Sequence, residues 1–245
     1  MNSHLKVSLS RGRFLPLTGA RNVRDLGGYL AVDGRTVKWG RLFRSGDLDQ
    51  LTEADLDLLN ELEVKTIVDF RRLQEAQAAP DRTPKSADRV IALPMDPGDF
   101  KLAEVIDHKP GSWIMEEVNR SLATDYREDF RRFLALLAEE DSAPVLFHCA
   151  AGKDRTGFAA MLILAALGVG ERTIMADYLL SNEGLGDRYD DLVERNPLLG
   201  PLVKVEPSYL SAGLEIINSR YGGLSAYLTD ELGADLDKLR DIYLD

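Results

Sequence analysis

One segment constrains this chain more than any other. Residues 144–160 read PVLFHCAAGKDRTGFAA. Pro144 to Phe147 is a short apolar run suited to a buried strand, which ends at His148. From Phe158 to Leu167 the chain is apolar nearly all round, the pattern of a central buried helix, with Gly168 placed to end it. Between strand and helix lie only Cys149, Ala150, Ala151, Gly152, Lys153, Asp154, Arg155 and Thr156. A strand that feeds through so short a loop into a buried helix fits an α/β core.

The same loop carries chemistry. Five residues separate Cys149 from Arg155. Ala150, Ala151 and Gly152 are small enough for backbone N–H groups to converge on one point. The loop empties into a helix N-terminus, whose free N–H groups and dipole favour an anion. That setting also favours a thiolate, a strong nucleophile at neutral pH. Arg155 offers a planar fork for two oxygens of a phosphate. The loop therefore suits displacement at phosphorus through a cysteinyl-phosphate. Thr156 is expected to donate a hydrogen bond to the thiolate or the leaving sulfur. His148 is expected to orient the loop through backbone hydrogen bonds and to help keep the thiolate charged, not to act as general base. Lys153 adds a positive charge at the rim, for a further phosphate such as that of a phosphoinositide.

The leaving oxygen needs a proton from a carboxylic acid, which then serves as base toward water. Asp154, inside the loop, and Asp96, in the loop LPMDPGDF after a strand, are the candidates; position favours Asp154.

The rest of the chain shows no internal repeat, low-complexity tract or linker, which predicts one domain over 1–245. Asp33-Gly34 predicts a hairpin over 28–44. Thr52 reads as an N-cap before a helix carrying Leu56, Leu59 and Leu62. Val64–Phe70 and Arg89–Leu93 read as buried strands, and Ala123–Glu140 as one helix with Phe130, Phe133, Leu134 and Leu137 on a stripe. A helix over Glu171–Leu180 and three short helices from Ser211 onward complete the pattern. Together these predict an α/β fold with a central, mainly parallel sheet and a helical C-terminal tail. The polar stretch Asn182–Pro207 interrupts the helices and is a candidate lid.

Composition narrows the function. The 245 residues include one cysteine and three histidines (His4, His108, His148), which argues against a disulfide framework and against a thiolate or His-rich metal site. A net charge of −11 argues against a nucleic-acid partner. No stretch is long and apolar enough to span a membrane, and the first residues lack a signal-peptide pattern, so a cytoplasmic location is expected. Residues 1–48 run against the overall charge at +6, with Lys6, Arg11, Arg13, Arg21, Arg24, Arg35, Lys38, Arg41 and Arg44 among them. This segment is a candidate to line an anion site.

Cys149 to Thr156 with the preceding His148, HCAAGKDRT, resembles the signature loop of cysteine-dependent protein tyrosine phosphatases, in particular a bacterial tyrosine/lipid phosphatase branch. RNVRDLGGY (21–29), Arg44-Ser45 with Leu48, VDFRRLQE (68–75), ADYLLSN (176–182) and the stretch Tyr221–Leu228 resemble further blocks of that branch, in order. The resemblance implies a three-layer α/β/α fold, Asp154 as the acid, no cofactor or metal, and a phosphotyrosine protein or phosphoinositide as substrate. It also implies that export without a recognisable signal is compatible with such a chain. Arg24 and Asp25, in the first block, are expected to line the pocket or brace the loop. A rhodanese-like sulfurtransferase and a non-catalytic phosphate-binding module are the alternatives. The Lys-Asp-Arg-Thr ending fits the first poorly, and retention of Cys149, Arg155 and Asp154 argues against the second.

Overall fold

The computed structural model describes residues 12–97 and 112–245. His4, Lys6, Arg11, His108 and the part of LPMDPGDF beyond Pro97 lie outside the described residues. Short β-branched and aromatic runs form five strands: β1 (Arg24–Asp25), β2 (Leu42–Ser45), β3 (Thr66–Asp69), β4 (Arg89–Ala92) and β5 (Val145–His148). Their order is β1-β2-β5-β3-β4. β1 is antiparallel to β2, and every other pairing is parallel.

Side chains alternate across a strand, so each strand feeds two cores. Phe43, Ile67 and Leu146 point to one face and pack with Leu59 and Leu62. Leu42, Val68 and Phe147 point to the other, against the helical bulk of the molecule. The nine principal helices are α1 (Glu53–Glu61), α2 (Leu73–Ala78), α3 (Ser112–Thr124), α4 (Arg127–Leu137), α5 (Arg155–Ala166), α6 (Glu171–Leu185), α7 (Asp190–Arg195), α8 (Pro207–Tyr221) and α9 (Leu236–Tyr243). α1 covers the first face, and α4 and α5 cover the second, which gives the three layers. In α5 every residue but Arg155 and Ala165 is buried. Edge-to-face aromatic contacts join sheet to helix: Phe133 lies 5.3 Å from Phe70 and 5.2 Å from Phe147, centroid to centroid.

Three local expectations are revised. The Asp33-Gly34 turn forms, with Gly34 at φ +89°, but its ladder is limited to the Leu30–Thr36 bridge. Past Trp39-Gly40 the chain turns away and Leu42–Ser45 joins the main sheet instead. β4 is an edge strand and only half covered; Val90 is 55% exposed. The helix expected over 123–140 is two helices. Asp125 breaks it by accepting hydrogen bonds from the Ser121 and Thr124 hydroxyls at 2.8 and 3.0 Å, a local alternative to helical pairing.

Thr52 caps α1 as expected, in a reciprocal box with Asp55. Asp55 is buried and also accepts from the Thr18 and Gly19 amides, each at 2.9 Å. Burial opposes its ionisation, but the Thr52, Thr18 and Gly19 amides outweigh it and hold the carboxyl below its usual 3.8. Its stabilising effect is therefore complete above that value and lost as pH falls through the lower folded value. Asp55→Asn is expected to cost about 1–3 kcal/mol at neutral pH. In denaturant titrations the gap from wild type should narrow as pH falls below 3.8 and through the lower folded value. A gap independent of pH contradicts this account.

Candidate active site

β5 is the central strand, and the site begins where it ends. In register, Ser45 of β2 and Asp69 of β3 both lie opposite His148. The carboxyl ends of two flanking strands thus meet the residues that follow His148. The Phe70 amide donates to the His148 carbonyl at 2.9 Å, and the Asp47 amide to the Ala150 carbonyl at 3.1 Å. The Asn22 side-chain amide donates to the Ala151 and Gly152 carbonyls at 3.2 and 2.9 Å, and Arg44 Nη2 to the Gly152 carbonyl at 2.8 Å. Gly152 has φ +67°, and a Cβ there would lie 2.4 Å from the Ser45 carbonyl oxygen, so only glycine fits.

With these carbonyls held from outside, the peptide planes turn their N–H groups the other way. Among the described residues, no backbone carbonyl accepts from the N–H groups of Ala150 to Thr156. No side chain caps α5 either. Cys149, 2% exposed, lies at the base of this arrangement.

Arg155, the first residue of α5, is aimed by a carboxylate. Its Nη1 and Nη2 lie 2.7 and 3.2 Å from the two oxygens of Glu75 on α2. Nη1 also donates to the Phe70 and Met95 carbonyls at 3.3 and 3.1 Å. Burial alone would raise the Glu75 pKa, but the Arg155 guanidinium overrides it and holds the carboxyl down to about 2. The pair opens on a cavity of about 180 Å³ lined also by Arg72, Asp96, Asp154 and Met115.

The cavity brings the two acid candidates together. Asp154 is largely buried; one oxygen lies 2.9 Å from Lys153 Nζ, and the other has no hydrogen-bond partner among the described residues. Asp96 is half exposed and lies 3.5 Å from the Arg72 guanidinium. Lys153 is not at an open rim. It is 4% exposed, because the segment after α7 covers it and the Lys204 carbonyl takes its ammonium at 3.4 Å.

The remaining predicted residues divide. Among the described residues the buried Thr156 hydroxyl has no hydrogen-bond partner, so it is not engaged to the thiol here. The His148 ring does not reach the loop backbone as expected; its Nε2 faces Asp81 at 3.1 Å and Asp69 at 3.8 Å. Those two carboxylates with His148 could in principle hold a cation, but the Arg71 guanidinium already lies 2.8 Å from each. Arg24 braces the loop at second hand, by donating to the Asn22 side-chain oxygen. Asp25 does neither of the things expected of it: it accepts from the Gly27 and Gly40 amides at 2.8 and 2.7 Å and stabilises that turn. Of the basic N-terminal residues described, Arg44 touches the loop directly, whereas Arg13, Arg35 and Lys38 hold carbonyls or a local acid.

Glu75, Asn22, Asp81 and Asp177 were not singled out from the residues. Glu75, Asn22 and Asp177 lie in the outlying blocks, where a charged or amide side chain amid apolar neighbours was the available signal. Asp81 lies in a plain polar stretch and gave none.

A buried thiol, a loop whose N–H groups no backbone carbonyl takes among the described residues, and a guanidinium aimed by a carboxylate thus stand together at the carboxyl end of a parallel strand. The profile of the tyrosine phosphatase family matches residues 15–245, and the chain belongs to that family. It is similar to a protein of Cupriavidus necator named as a tyrosine-protein phosphatase, with 36% identity over 91% of this chain and 85% of the relative. It is 31% identical to the triple specificity protein phosphatase PtpB of Mycobacterium tuberculosis, over 93% of this chain and 98% of that one. A tyrosine-protein phosphatase of Nostoc commune is 30% identical over 76% of this chain and 67% of its own.

Arg155→Lys keeps the charge and loses the fork that Glu75 aims. Its kcat/KM toward an aryl phosphate is expected to fall about 10²–10³-fold with little change in thermal midpoint. A loss of less than tenfold contradicts the role given to the guanidinium.

Proposed function

We propose that this protein is a phosphatase that cleaves phosphotyrosine in two steps. The Cys149 thiolate attacks phosphorus, the S–P bond forms, the P–O bond to tyrosine breaks, and Asp154 gives its proton to the leaving oxygen. Water then attacks phosphorus, Asp154 takes the proton, the S–P bond breaks, and inorganic phosphate leaves. Loop amides and Arg155 stabilise the equatorial oxygens in both steps.

The observation that carries this reading is that Asp154 and Arg155, in one loop with Cys149, line the same cavity. The buried, unpartnered oxygen of Asp154 supports it over Asp96, whose carboxylate is drawn to Arg72. Names of the relatives support phosphotyrosine as substrate, and the Mycobacterium tuberculosis relative's name supports a range beyond it. Phosphoserine, phosphothreonine and phosphoinositides are the proposed extensions.

Residues 182–207 act as a cap. Asn182 clasps Val205 through two hydrogen bonds of 2.9 Å, and Lys204 ties to Lys153. The segment folds around a cavity of about 580 Å³ lined by its own Leu185, Tyr189, Val193 and Val203. A second phosphate would meet Lys153 once the cap lifts.

An acid that must hold its proton loses activity as pH rises through its pKa. In a chromogenic aryl phosphate assay with chelator present, Cys149→Ser should abolish turnover. Asp154→Asn should flatten the alkaline limb of the pH–rate profile and lower kcat about 10²–10⁴-fold. Asp96→Asn should keep that limb. A limb lost in Asp96→Asn and kept in Asp154→Asn contradicts the assignment. Thiosulfate-to-cyanide transfer in place of phosphate release would indicate sulfur chemistry.

A further inference from the structure

Beneath the loop lies a charge cluster that the two-step reaction does not use. Arg24 of β1, Arg44 of β2 and Asp177 of α6 are at most 1% exposed. Arg24 Nε lies 3.0 Å from one Asp177 oxygen and Arg44 Nη1 2.6 Å from the other. Arg24 also donates to the Asp177 carbonyl at 2.7 Å, and the Tyr29 hydroxyl to its carboxylate at 2.9 Å. Burial would raise the Asp177 pKa, but the two guanidinium groups keep it well below the usual range.

Two buried guanidinium groups share one carboxylate, so the cluster carries one surplus positive charge. Arg24 takes Asp177 through two nitrogens and the main chain, whereas Arg44 spends its other arm on the Gly152 carbonyl. That arm lies under the loop: a Cβ on Gly157 in α5 would be 3.4 Å from it. The titratable and charged groups facing Arg44 are Arg24, Asp177, Tyr178 of α6 and Cys149. Burial and Arg24 pull the Arg44 pKa down to about 10, while Asp177 and Cys149 act the other way, so Arg44 stays charged near neutrality. Tyr178 stays neutral, its pKa raised by burial. Cys149, three residues along the loop from the Gly152 carbonyl that Arg44 holds, is the facing group whose ionisation would offset that charge. Arg155 also faces Cys149, but its charge is shared with Glu75 and Asp154.

We propose that Arg44 is a positioning residue of this site: it holds the loop by the Gly152 carbonyl, and its surplus charge is the one that ionised Cys149 balances. The proposal rests on Cys149 as nucleophile, so its test reads thiol reactivity, not turnover. A phosphatase assay on the same variants tests the activity separately.

The single cysteine makes the readout clean, because intact mass reports alkylation of Cys149 alone. Iodoacetamide alkylation would be followed against pH in wild type, Arg44→Met and Arg44→Lys. Arg44→Met leaves Arg24 and Asp177 as a balanced pair, and the alkylation midpoint is expected to rise by about one pH unit or more. Arg44→Lys keeps the charge and should hold the midpoint within about 0.3 unit, while the loosened loop lowers kcat roughly tenfold. A folded Arg44→Met with the wild-type midpoint overturns the proposal. If Arg44→Met does not fold, Arg44→Lys decides alone: a midpoint raised by a full unit assigns the effect to loop shape and overturns the charge role.

Discussion

The shape of the catalytic loop depends on its carbonyls being held from outside. Asp47 N–H takes Ala150, the Asn22 amide takes Ala151 and Gly152, and Arg44 takes Gly152 again. Every one of these partners comes from the first fifth of the chain, and they arrive because β2 pairs in parallel with β5. A peptide plane fixed by its oxygen is fixed by its N–H as well. The anion site proposed for this loop would thus be a consequence of sheet register and of side chains outside the loop. The close contact of Gly152 with Ser45 belongs to the same constraint, since any side chain there would push the loop off β2.

Electrostatics follow the same division of labour. The protein carries a net charge of −11, so its overall field does not draw in an anion. Attraction is local and layered. Arg155, aimed by Glu75, faces the cavity, and Arg44, held by Asp177, reaches the Gly152 carbonyl. Buried guanidinium groups are costly unless paired; Arg155 has Glu75, and Arg24 and Arg44 share Asp177.

Much of this was legible in the sequence, and the reasons differ by element. The strand, loop and buried helix around Cys149 were readable because apolar runs bounded by small residues admit few structures. Thr52 was readable because capping is local chemistry. The split at Asp125 was not, since the apolar stripe of α4 continues its spacing across the break and the competing hydrogen bonds involve only hydroxyls. Nor was β4 as an edge strand, because RVIAL has the composition of a central one and only sheet order exposes it. Within the site, Cys149 and Arg155 stood out by spacing, and Asp154 by its place in the loop and the family resemblance. Glu75, Asn22 and Asp177 act through contacts up to about 150 residues away along the chain, which no local pattern encodes. His148 illustrates the limit: its place in the motif was plain, but its partner Asp81 lies in a stretch with no distinguishing pattern.

The account stands on a covalent bond between Cys149 and phosphorus. The most direct measurement is rapid acid quench of the protein during turnover of an aryl phosphate, followed by mass spectrometry of the peptide that contains Cys149. The account predicts a phosphoryl group on that cysteine, present with substrate and absent after the substrate is consumed. Steady turnover with Cys149 unmodified at every quench time, or with the phosphoryl group on another residue, would contradict it.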